Sequence, residues 1–283
     1  MPAKVSLLII DPQIDFCDVP GSAGLSVKPA LPVPGAWEDM NRLAAMVDRL
    51  GGRISDITVT LDSHHRVDIA HPLWWVDGNG RTVAPFTQIE AAQVEAGIYT
   101  TRNPRFRERS LAYLRQLEAG GKFKLMVWTE HCLIGSLGAA IHPGLFQALN
   151  RWTASPLNLV DFVTKGSNIW TEHYSAVQAE VPDPSDPGTM LNDGLILSLQ
   201  EADVILLAGE AKSHCLKSTV TDIADKIGEE HVRKFVLLSD CTSSIPAVPN
   251  GGPASDFPAI AERFVQDMVA RGMKVATSTD FLA

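Results

Sequence analysis

Short apolar runs alternate with helical patterns along the chain, and this alternation constrains the fold more than any other feature. The strand pattern of Val5–Asp11 is followed by the helical pattern of Ala36–Leu50, and that of Asp203–Gly209 by a helical pattern starting at Ser213. Such alternation is typical of a parallel sheet covered by helices on both faces. We therefore predict an α/β fold with three αβα layers and a six-stranded, mainly parallel sheet.

The same two periodicities place the other elements. The further predicted strands are Ile54–Asp62, Lys124–Trp128, Leu159–Lys165, Lys234–Asp240 and a short Lys274–Thr277. The further predicted helices are Arg105–Gly120, Met190–Gln200, Ser213 to about Gly228, and a last one near Pro258–Arg271. No internal repeat or linker interrupts this order. We predict a single domain over residues 1–283, with extended loops at about 65–123 and 166–193.

Composition excludes several functional classes. The net charge of −9 gives no electrostatic support for binding nucleic acid. No apolar stretch approaches the roughly 20 residues that span a bilayer, and no secretory signal is visible. The four cysteines show no CxxC pairing, which fits a reducing compartment. We expect a cytoplasmic protein without nucleic-acid or membrane partners, and we leave open whether it forms a homo-oligomer.

Reactive side chains fall at or just after the ends of separate predicted strands. Asp11, Asp62 and Lys165 end strands, whereas His131 and Cys215 follow strands. Ligands of an open parallel sheet bind at the carboxyl ends of its strands, so we expect these side chains to share one rim. Each alone has an ordinary explanation, such as a helix-capping Asp, a solvated Lys or a surface His. Their common position favours a functional site.

Cys215 is the candidate nucleophile. It falls in the first turn of a predicted helix, with Ser213 as the candidate N-cap. Free N–H groups and the helix dipole favour a thiolate there, so we expect a depressed thiol pKa. Asp11 could accept the thiol proton, and the Lys165 ammonium would favour both anions. The alternative is that Cys215 is a small hydrophobic residue of the core.

A second group of residues offers metal ligands. Asp62 and His64 stand two positions apart on an extended segment and can direct two donors to one point. His131 or His71 would complete a set of nitrogen and oxygen ligands with open positions, which suits Zn²⁺ or Fe²⁺. His65 alternates away from His64 and is a weaker candidate.

Short motifs follow one another in order from Val5 to about Thr279. They are Asp11-Pro12-Gln13-Ile14-Asp15-Phe16, Asp62-Ser63-His64, the segment from Trp128 to Gly138, Lys165-Gly166, Tyr174-Ser175-Ala176, Ser213-His214-Cys215 and Leu238-Ser239-Asp240-Cys241. In this order they resemble the motifs of the nicotinamidases, within the isochorismatase-like cysteine hydrolases. Each motif alone is modest, whereas the combination is specific.

The resemblance implies both a catalytic group and a metal site. The implied catalytic triad is Asp11, Lys165 and Cys215. The implied metal ligands are Asp62, His64 and His131, with His71 as a further candidate. One divalent ion is expected per chain, Zn²⁺ or Fe²⁺, and Mn²⁺ is also compatible.

The resemblance also implies the surroundings of the nucleophile. It places a cis peptide between Glu210 and Ala211, and an oxyanion hole at the backbone N–H groups of Ala211 and Cys215. The implied walls of a substrate pocket are Phe16, Trp128 and Tyr174, with His214 beside them. Packing in the core is an equally good explanation for Phe16 and Trp128.

The activity that the resemblance implies is that of a metal-dependent cysteine amidohydrolase. Its partner would be a small amide, nicotinamide foremost, converted to the acid and ammonia through a Cys thioester. One alternative is a metal-free relative acting on another amide, carbamoyl or vinyl-ether substrate. Another is a non-catalytic binding protein on the same fold.

The chain departs from the resemblance in three segments. A long loop carries Trp74 and Trp75, the Lys165–Asp193 connection is extended, and Lys212 precedes Ser213. We expect the two long segments to lie at the pocket mouth, so they bear on the identity of the substrate.

Overall fold

A computed structural model describes residues 3–154, 157–248 and 256–282. The strands are β1 Val5–Ile10, β2 Asp56–Asp62, β3 Trp75–Asp77, β4 Thr87–Ile89, β5 Tyr99–Thr101, β6 Leu125–Val127, β7 Val160–Lys165, β8 Val204–Gly209, β9 Phe235–Leu238 and β10 Lys274–Ala276. The α-helices are α1 Ala36–Leu50, α2 Ala91–Glu95, α3 Arg107–Gly120, α4 Pro143–Ala154, α5 Asp193–Gln200, α6 Cys215–Ile227, α7 Glu229–Val232 and α8 Phe257–Ala270. None of these helices has both the length and the apolarity needed to cross a membrane.

The central sheet has six strands in the order β10-β9-β8-β1-β2-β7. Every neighbouring pair in it is parallel. β1 lies in the middle of this order. β2 and β7 are added on one side of it, and β8, β9 and β10 follow on the other side. The predicted α/β fold with a six-stranded parallel sheet is confirmed.

Side chains that alternate along the strands belong to two apolar clusters, one on each face of the sheet. Leu8 and Ile10 of β1 point into the cluster that packs against α6 and α8. Leu7 and Ile9 point into the other cluster, which packs against α1 and α4. This alternation follows from the two-residue period of a strand. Each fully buried Leu or Ile contributes about 1.5–3 kcal/mol by leaving water, so both helical layers are held to the sheet.

The prediction that Lys124–Trp128 forms the third strand of the main sheet is wrong. Its core, β6, pairs antiparallel with β4 in a separate two-stranded sheet. The place beside β2 is taken by β7, and β10 provides the sixth central strand. A short apolar run specifies a strand but not its partner, and here the partner comes from the long segment before it.

Helix α4 was not among the helices predicted from the sequence. Pro143 stands at its first position, and its buried residues Leu145, Ala148, Leu149 and Trp152 follow helical spacing. The helix packs against α1 on one face of the sheet. The predicted loop at about 65–123 also contains local structure, namely β3, β4, α2 and β5 in addition to the predicted helix α3.

Gly209, at the end of β8, is the position where the fold tolerates a side chain least. Its φ is +110°, and an added Cβ would lie 2.0 Å from the carbonyl oxygen of Ile10. We expect Gly209→Ala to lower the free energy of unfolding by at least about 3 kcal/mol. Gly21→Ala is the matched control, since nothing lies within 4 Å of its added Cβ, and should stay within about 0.5 kcal/mol of wild type. Equal denaturant midpoints for the two variants would contradict this expectation.

Candidate active site

The candidate residues lie at the carboxyl ends of four neighbouring strands, on one edge of the sheet. β8, β1, β2 and β7 lie side by side in the sheet. Asp11 follows β1 directly, while Asp62 and Lys165 end β2 and β7 and are partners in the strand register. Cys215 begins α6, a few residues after β8. The carboxyl ends of the strands therefore gather these side chains, as their positions in the sequence predict.

A single buried ammonium connects the reactive groups. Lys165 Nζ lies 2.8 Å from Asp11 Oδ2, and it donates hydrogen bonds to Asp62 Oδ1 at 3.1 Å and to Cys215 Sγ at 3.6 Å. Asp11 Oδ1 accepts a hydrogen bond from the hydroxyl of Thr60 at 2.6 Å. Burial alone would lower the pKa of Lys165, but the charges of Asp11 and Asp62 raise it well above its usual range. Lys165 therefore stays charged at neutral pH.

Burial controls the protonation of the two groups that would exchange a proton. It raises the pKa of the Cys215 thiol well above its usual range, and the charge of Lys165 opposes this rise. It also raises the pKa of the Asp11 carboxyl, again against Lys165. The expectation of a depressed thiol pKa is therefore wrong, because desolvation outweighs the cation and the helix terminus. A thiol that keeps its proton near a buried carboxyl suits proton transfer between them.

The nucleophile helix begins later than predicted. α6 starts at Cys215, with His214 as its N-cap residue and no side-chain capping hydrogen bond. Ser213 does not cap the helix, because its hydroxyl pairs instead with His214 Nδ1 at 2.9 Å. Cys215 thus occupies the first helical position, where backbone N–H groups have no partner within the helix.

The backbone before the nucleophile has the expected form. The peptide bond between Glu210 and Ala211 is cis. The N–H of Lys212 donates to the carbonyl of Ser243, which fixes the loop. Within the described ranges, the N–H groups of Ala211 and Cys215 donate no hydrogen bond to protein acceptors. Both residues line the cavity, so their two N–H groups are donors of the kind that stabilise an oxyanion.

Asp62, His64 and His131 form a buried set of metal-ligand type. One donor atom from each lies within 4.8 Å of the others. Asp62 Oδ2 is 3.0 Å from His64 Nε2 and 3.4 Å from His131 Nε2. The remaining ring nitrogens are engaged, His64 Nδ1 with Asp68 Oδ2 at 3.2 Å and His131 Nδ1 with the Thr129 carbonyl at 2.8 Å. These outer contacts turn both Nε2 atoms inward, as is typical of metal-binding histidines.

His71 lies against this set. Its ring centroid is 5.1 Å from that of His64 and 5.5 Å from that of His131. Neither of its ring nitrogens has a hydrogen-bond partner among the described residues. Burial lowers its pKa to about 3, so the ring is neutral and able to donate a lone pair. His71 therefore stays a candidate fourth ligand, whereas His65 is exposed.

The donor set fits a divalent ion. Two inward Nε2 atoms and a carboxylate are the ligand types that Zn²⁺ and Fe²⁺ accept. Gly166 leaves space beside them, since an added Cβ would lie 2.8 Å from Asp62 Oδ1. The unpaired nitrogens of His71 would gain a partner if they bound the same ion.

Aromatic side chains surround the space above Cys215. Phe16 packs edge-on against His131 with ring centroids 5.4 Å apart, and Trp128 Nε1 donates to Tyr174 Oη at 2.9 Å. His214 lies 5.0 Å from the Trp128 ring, and burial lowers its pKa to about 3. All four predicted pocket residues line the same cavity as Cys215. The cavity of about 20 Å³ has room for about one water molecule.

Of the two long segments, only the one after Lys165 lines the cavity, through Glu172 and Tyr174. Trp74 and Trp75 are buried in the core and line no part of the cavity. Their indole N–H groups donate to the Ser110 hydroxyl at 3.0 Å and to the Ile69 carbonyl at 2.7 Å. The expectation that this pair lies at the pocket mouth is wrong, because large indoles with satisfied N–H groups are stabilised by burial.

Sequence reasoning missed two acidic residues of the site. Asp68 orients His64, and only its position four residues later along the chain could have suggested this contact. Glu172, from the 166–193 segment, lines the cavity. Burial raises its pKa to about 7, and its Oε2 has no hydrogen-bond partner among the described residues. Nothing in the local sequence distinguishes Glu172 from a surface glutamate.

Comparison with known proteins supports the fold. No protein-family model and no curated protein sequence matches the chain. Among solved structures, a nicotinamidase/pyrazinamidase from Acinetobacter aligns over 99% of both chains with a TM-score of 0.57 at 20% identity. The yeast nicotinamidase bound to the inhibitor nicotinaldehyde gives a TM-score of 0.60 at 18% identity, over 96% of this chain and 99% of that one.

A third solved structure is the pyrazinamidase of Pyrococcus horikoshii in complex with zinc. It aligns over 97% of this chain and 99% of its own, with a TM-score of 0.54 at 17% identity. At such identities the likeness concerns architecture and not the reaction. The chain therefore has the isochorismatase-like hydrolase fold.

Proposed function

We propose that this protein is a metal-dependent cysteine amidohydrolase that acts on small planar aromatic amides, with nicotinamide as the first candidate substrate. The observation that carries the proposal is the position of Lys165 Nζ, within 3.6 Å of both Asp11 and Cys215 and 3.1 Å from the metal-ligand candidate Asp62. The nicotinamidase motifs and the similar folds of nicotinamidases and pyrazinamidases support the same class.

The first half of the reaction forms a thioester. Cys215 Sγ attacks the amide carbon as its proton passes to Asp11. The N–H groups of Ala211 and Cys215 hold the negative oxygen, each such donor contributing about 2.7–4 kcal/mol to the barrier reduction. When the C–N bond breaks, Asp11 returns the proton to the nitrogen, and ammonia leaves. Lys165 keeps the local charge balanced while the proton moves.

The second half releases the acid. Asp11, again a carboxylate, takes a proton from a water molecule that attacks the thioester carbon. The C–S bond breaks, Sγ recovers a proton, and the carboxylic acid is free to leave. The same donors serve both tetrahedral states, so one oxyanion hole suffices for both halves.

Asp62, His64 and His131, with His71 adjacent, would hold the divalent ion. When bound, the ion supplies a Lewis-acidic anchor for the substrate. The aromatic walls Phe16 and Trp128 favour a flat apolar ring. A planar ring with a basic nitrogen meta to its carboxamide meets both requirements at once. That a similarly folded pyrazinamidase was solved in complex with zinc supports metal binding by this fold.

The substrate class is tested by kcat/KM for nicotinamide, pyrazinamide, benzamide and an aliphatic carbamoyl compound. We expect release of ammonia from nicotinamide and pyrazinamide, and at least about tenfold lower kcat/KM for benzamide, which lacks the ring nitrogen. Equal values for benzamide and nicotinamide would remove the anchoring role of the ion. Turnover of the carbamoyl compound alone would keep the cysteine mechanism and reject aromatic amides.

Cys215→Ala should reduce hydrolysis by at least about a thousandfold, because it removes the nucleophile. The small change in volume should leave the fold intact, as circular dichroism would show. Cys241→Ala is the matched control, since Cys241 is also buried but lies outside the cavity lining; it should retain activity. More than a few per cent of activity in Cys215→Ala would disprove the covalent mechanism.

Metal binding is tested on the protein itself by elemental analysis after dialysis. We expect about one equivalent of zinc, iron or manganese in wild type and a nearly complete loss in His64→Ala. Asp68→Asn should weaken affinity by about 10–100-fold, because it removes the partner that orients His64. His65→Ala, the exposed neighbour, serves as control and should bind like wild type. Metal-free wild type that is fully active in a strong chelator would contradict the assignment.

Lys165→Met should shift the pH profile of Cys215 alkylation to higher pH by at least about one unit. The cation lowers the thiol pKa, so its loss raises that pKa, and more alkaline solution is needed to form the thiolate. Lys226→Met, at the exposed far end of α6, is the control for a lost positive charge. An alkylation profile in Lys165→Met that matches the control would place Lys165 outside the site.

A further inference from the structure

A second and larger cavity shares three aromatic lining residues with the cavity above Cys215. It measures about 600 Å³ and is bounded by α6, α8 and the segment from Lys122 to Trp128. We call it the α6–α8 groove. Trp128, Tyr174 and His214 line both this groove and the small cavity above Cys215, whereas Cys215 itself lines only the latter. The groove is therefore a separate space that shares one wall with the candidate active site.

The inner surface of the groove is built from rings. His214 lies 4.7 Å from Phe257 and 5.0 Å from Trp128 between ring centroids, and Phe123 lies 4.8 Å from Tyr174. The volume is within the roughly 300–1,000 Å³ of typical small-molecule sites, which combine an apolar lining with a few polar groups. A ligand with an apolar, ring-bearing body fits this lining.

One of the charged groups that line the groove is an ammonium that forms no ion pair among the described residues. Lys217 Nζ lies 4.9 Å from the centroid of the Phe123 ring and is half-buried. No carboxylate in the described ranges lies within 4.0 Å of it, and the remaining residues of the chain carry no acidic side chain. Burial lowers the pKa of Lys217, and the charges of Glu180 and Asp222 oppose this only in part.

Two other cations around the groove are paired with carboxylates, whereas Arg263, like Lys217, is not. Lys122 is paired with Asp222 at 2.6 Å, and Lys124 with Glu90 at 2.8 Å. Arg263 on α8 also lines the groove and has no salt-bridge partner among the described residues. The groove is also lined by two acidic residues, Glu118 and Asp267, but five basic residues outnumber them, namely Lys122, Lys124, Lys217, Arg263 and Arg271. In a chain with net charge −9, this local excess of positive charge beside an aromatic surface favours an anionic ligand.

We propose that the α6–α8 groove is a second ligand site that binds a ring-bearing organic anion. The rings would pack on Phe257, Phe123 and the outer face of Trp128, while the anionic group would lie at Lys217, with Arg263 at the groove margin. The proposal does not rest on the proposed amide hydrolysis, because neither Cys215 nor the metal-ligand set lines the groove, although it shares Trp128, Tyr174 and His214 with the small cavity.

The proposal is tested with two fluorescent probes that share their rings and differ in charge. Anilinonaphthalene sulfonate is a ring-bearing anion, and N-phenylnaphthylamine is a neutral analogue. Wild type should bind the anion more tightly. Lys217→Met should weaken anion binding by about fivefold to tenfold and leave the neutral probe unchanged, because a partly desolvated ion pair is lost. Lys226→Met, on the same helix but outside the groove, should bind both probes like wild type.

Location is tested by filling the groove. Thr221 lines it from α6, so Thr221→Trp should abolish binding of both probes, while circular dichroism verifies the fold. Equal anion affinity in Lys217→Met and Lys226→Met would overturn the role of Lys217. Unchanged probe binding in a folded Thr221→Trp variant would overturn the groove as the site.

Discussion

The buried ammonium of Lys165 is the interaction on which the site depends. Two carboxylates, Asp11 and Asp62, lie with it in the interior, and removing one member of such a group costs about 3–5 kcal/mol because the others lose compensation. Each member lies at the carboxyl end of a different strand. The charge balance thus links the proposed proton-transfer group around Cys215 to the candidate metal ligands around His64.

The positions of the chemical groups were predictable because they depend on local patterns. A strand of alternating apolar residues ends where its polar residue begins, and parallel strands end on the same side. This places Asp11, Asp62 and Lys165 together without knowledge of any contact. The two-residue period of extended chain also separates buried His64 from exposed His65. Fold class and the candidate triad follow from information of this kind.

The features that could not be predicted from the sequence depend on contacts between residues far apart along the chain. The apolar run of β6 found its partner in β4, outside the main sheet, and Ser213 formed a hydrogen bond with His214 in place of the helix end. The protonation of Cys215 depends on desolvation, which arises only when β1, β7 and the aromatic wall enclose it. Glu172 reaches the cavity through a loop without periodicity. Trp74 and Trp75 show the same principle, since only the folded core reveals that they are structural.

β7, the strand that carries Lys165, has a single neighbour in the sheet. All its residues from Val160 to Thr164 are at least partly exposed, so apolar burial specifies its alignment with β2 only weakly. A slip of one residue would turn Lys165 to the opposite face and leave Asp11 and Asp62 as adjacent uncompensated anions. The ammonium therefore favours the observed alignment of β7 with β2 over a slipped one. The side chain at the centre of the proposed chemistry is thus also one that specifies how the edge strand pairs.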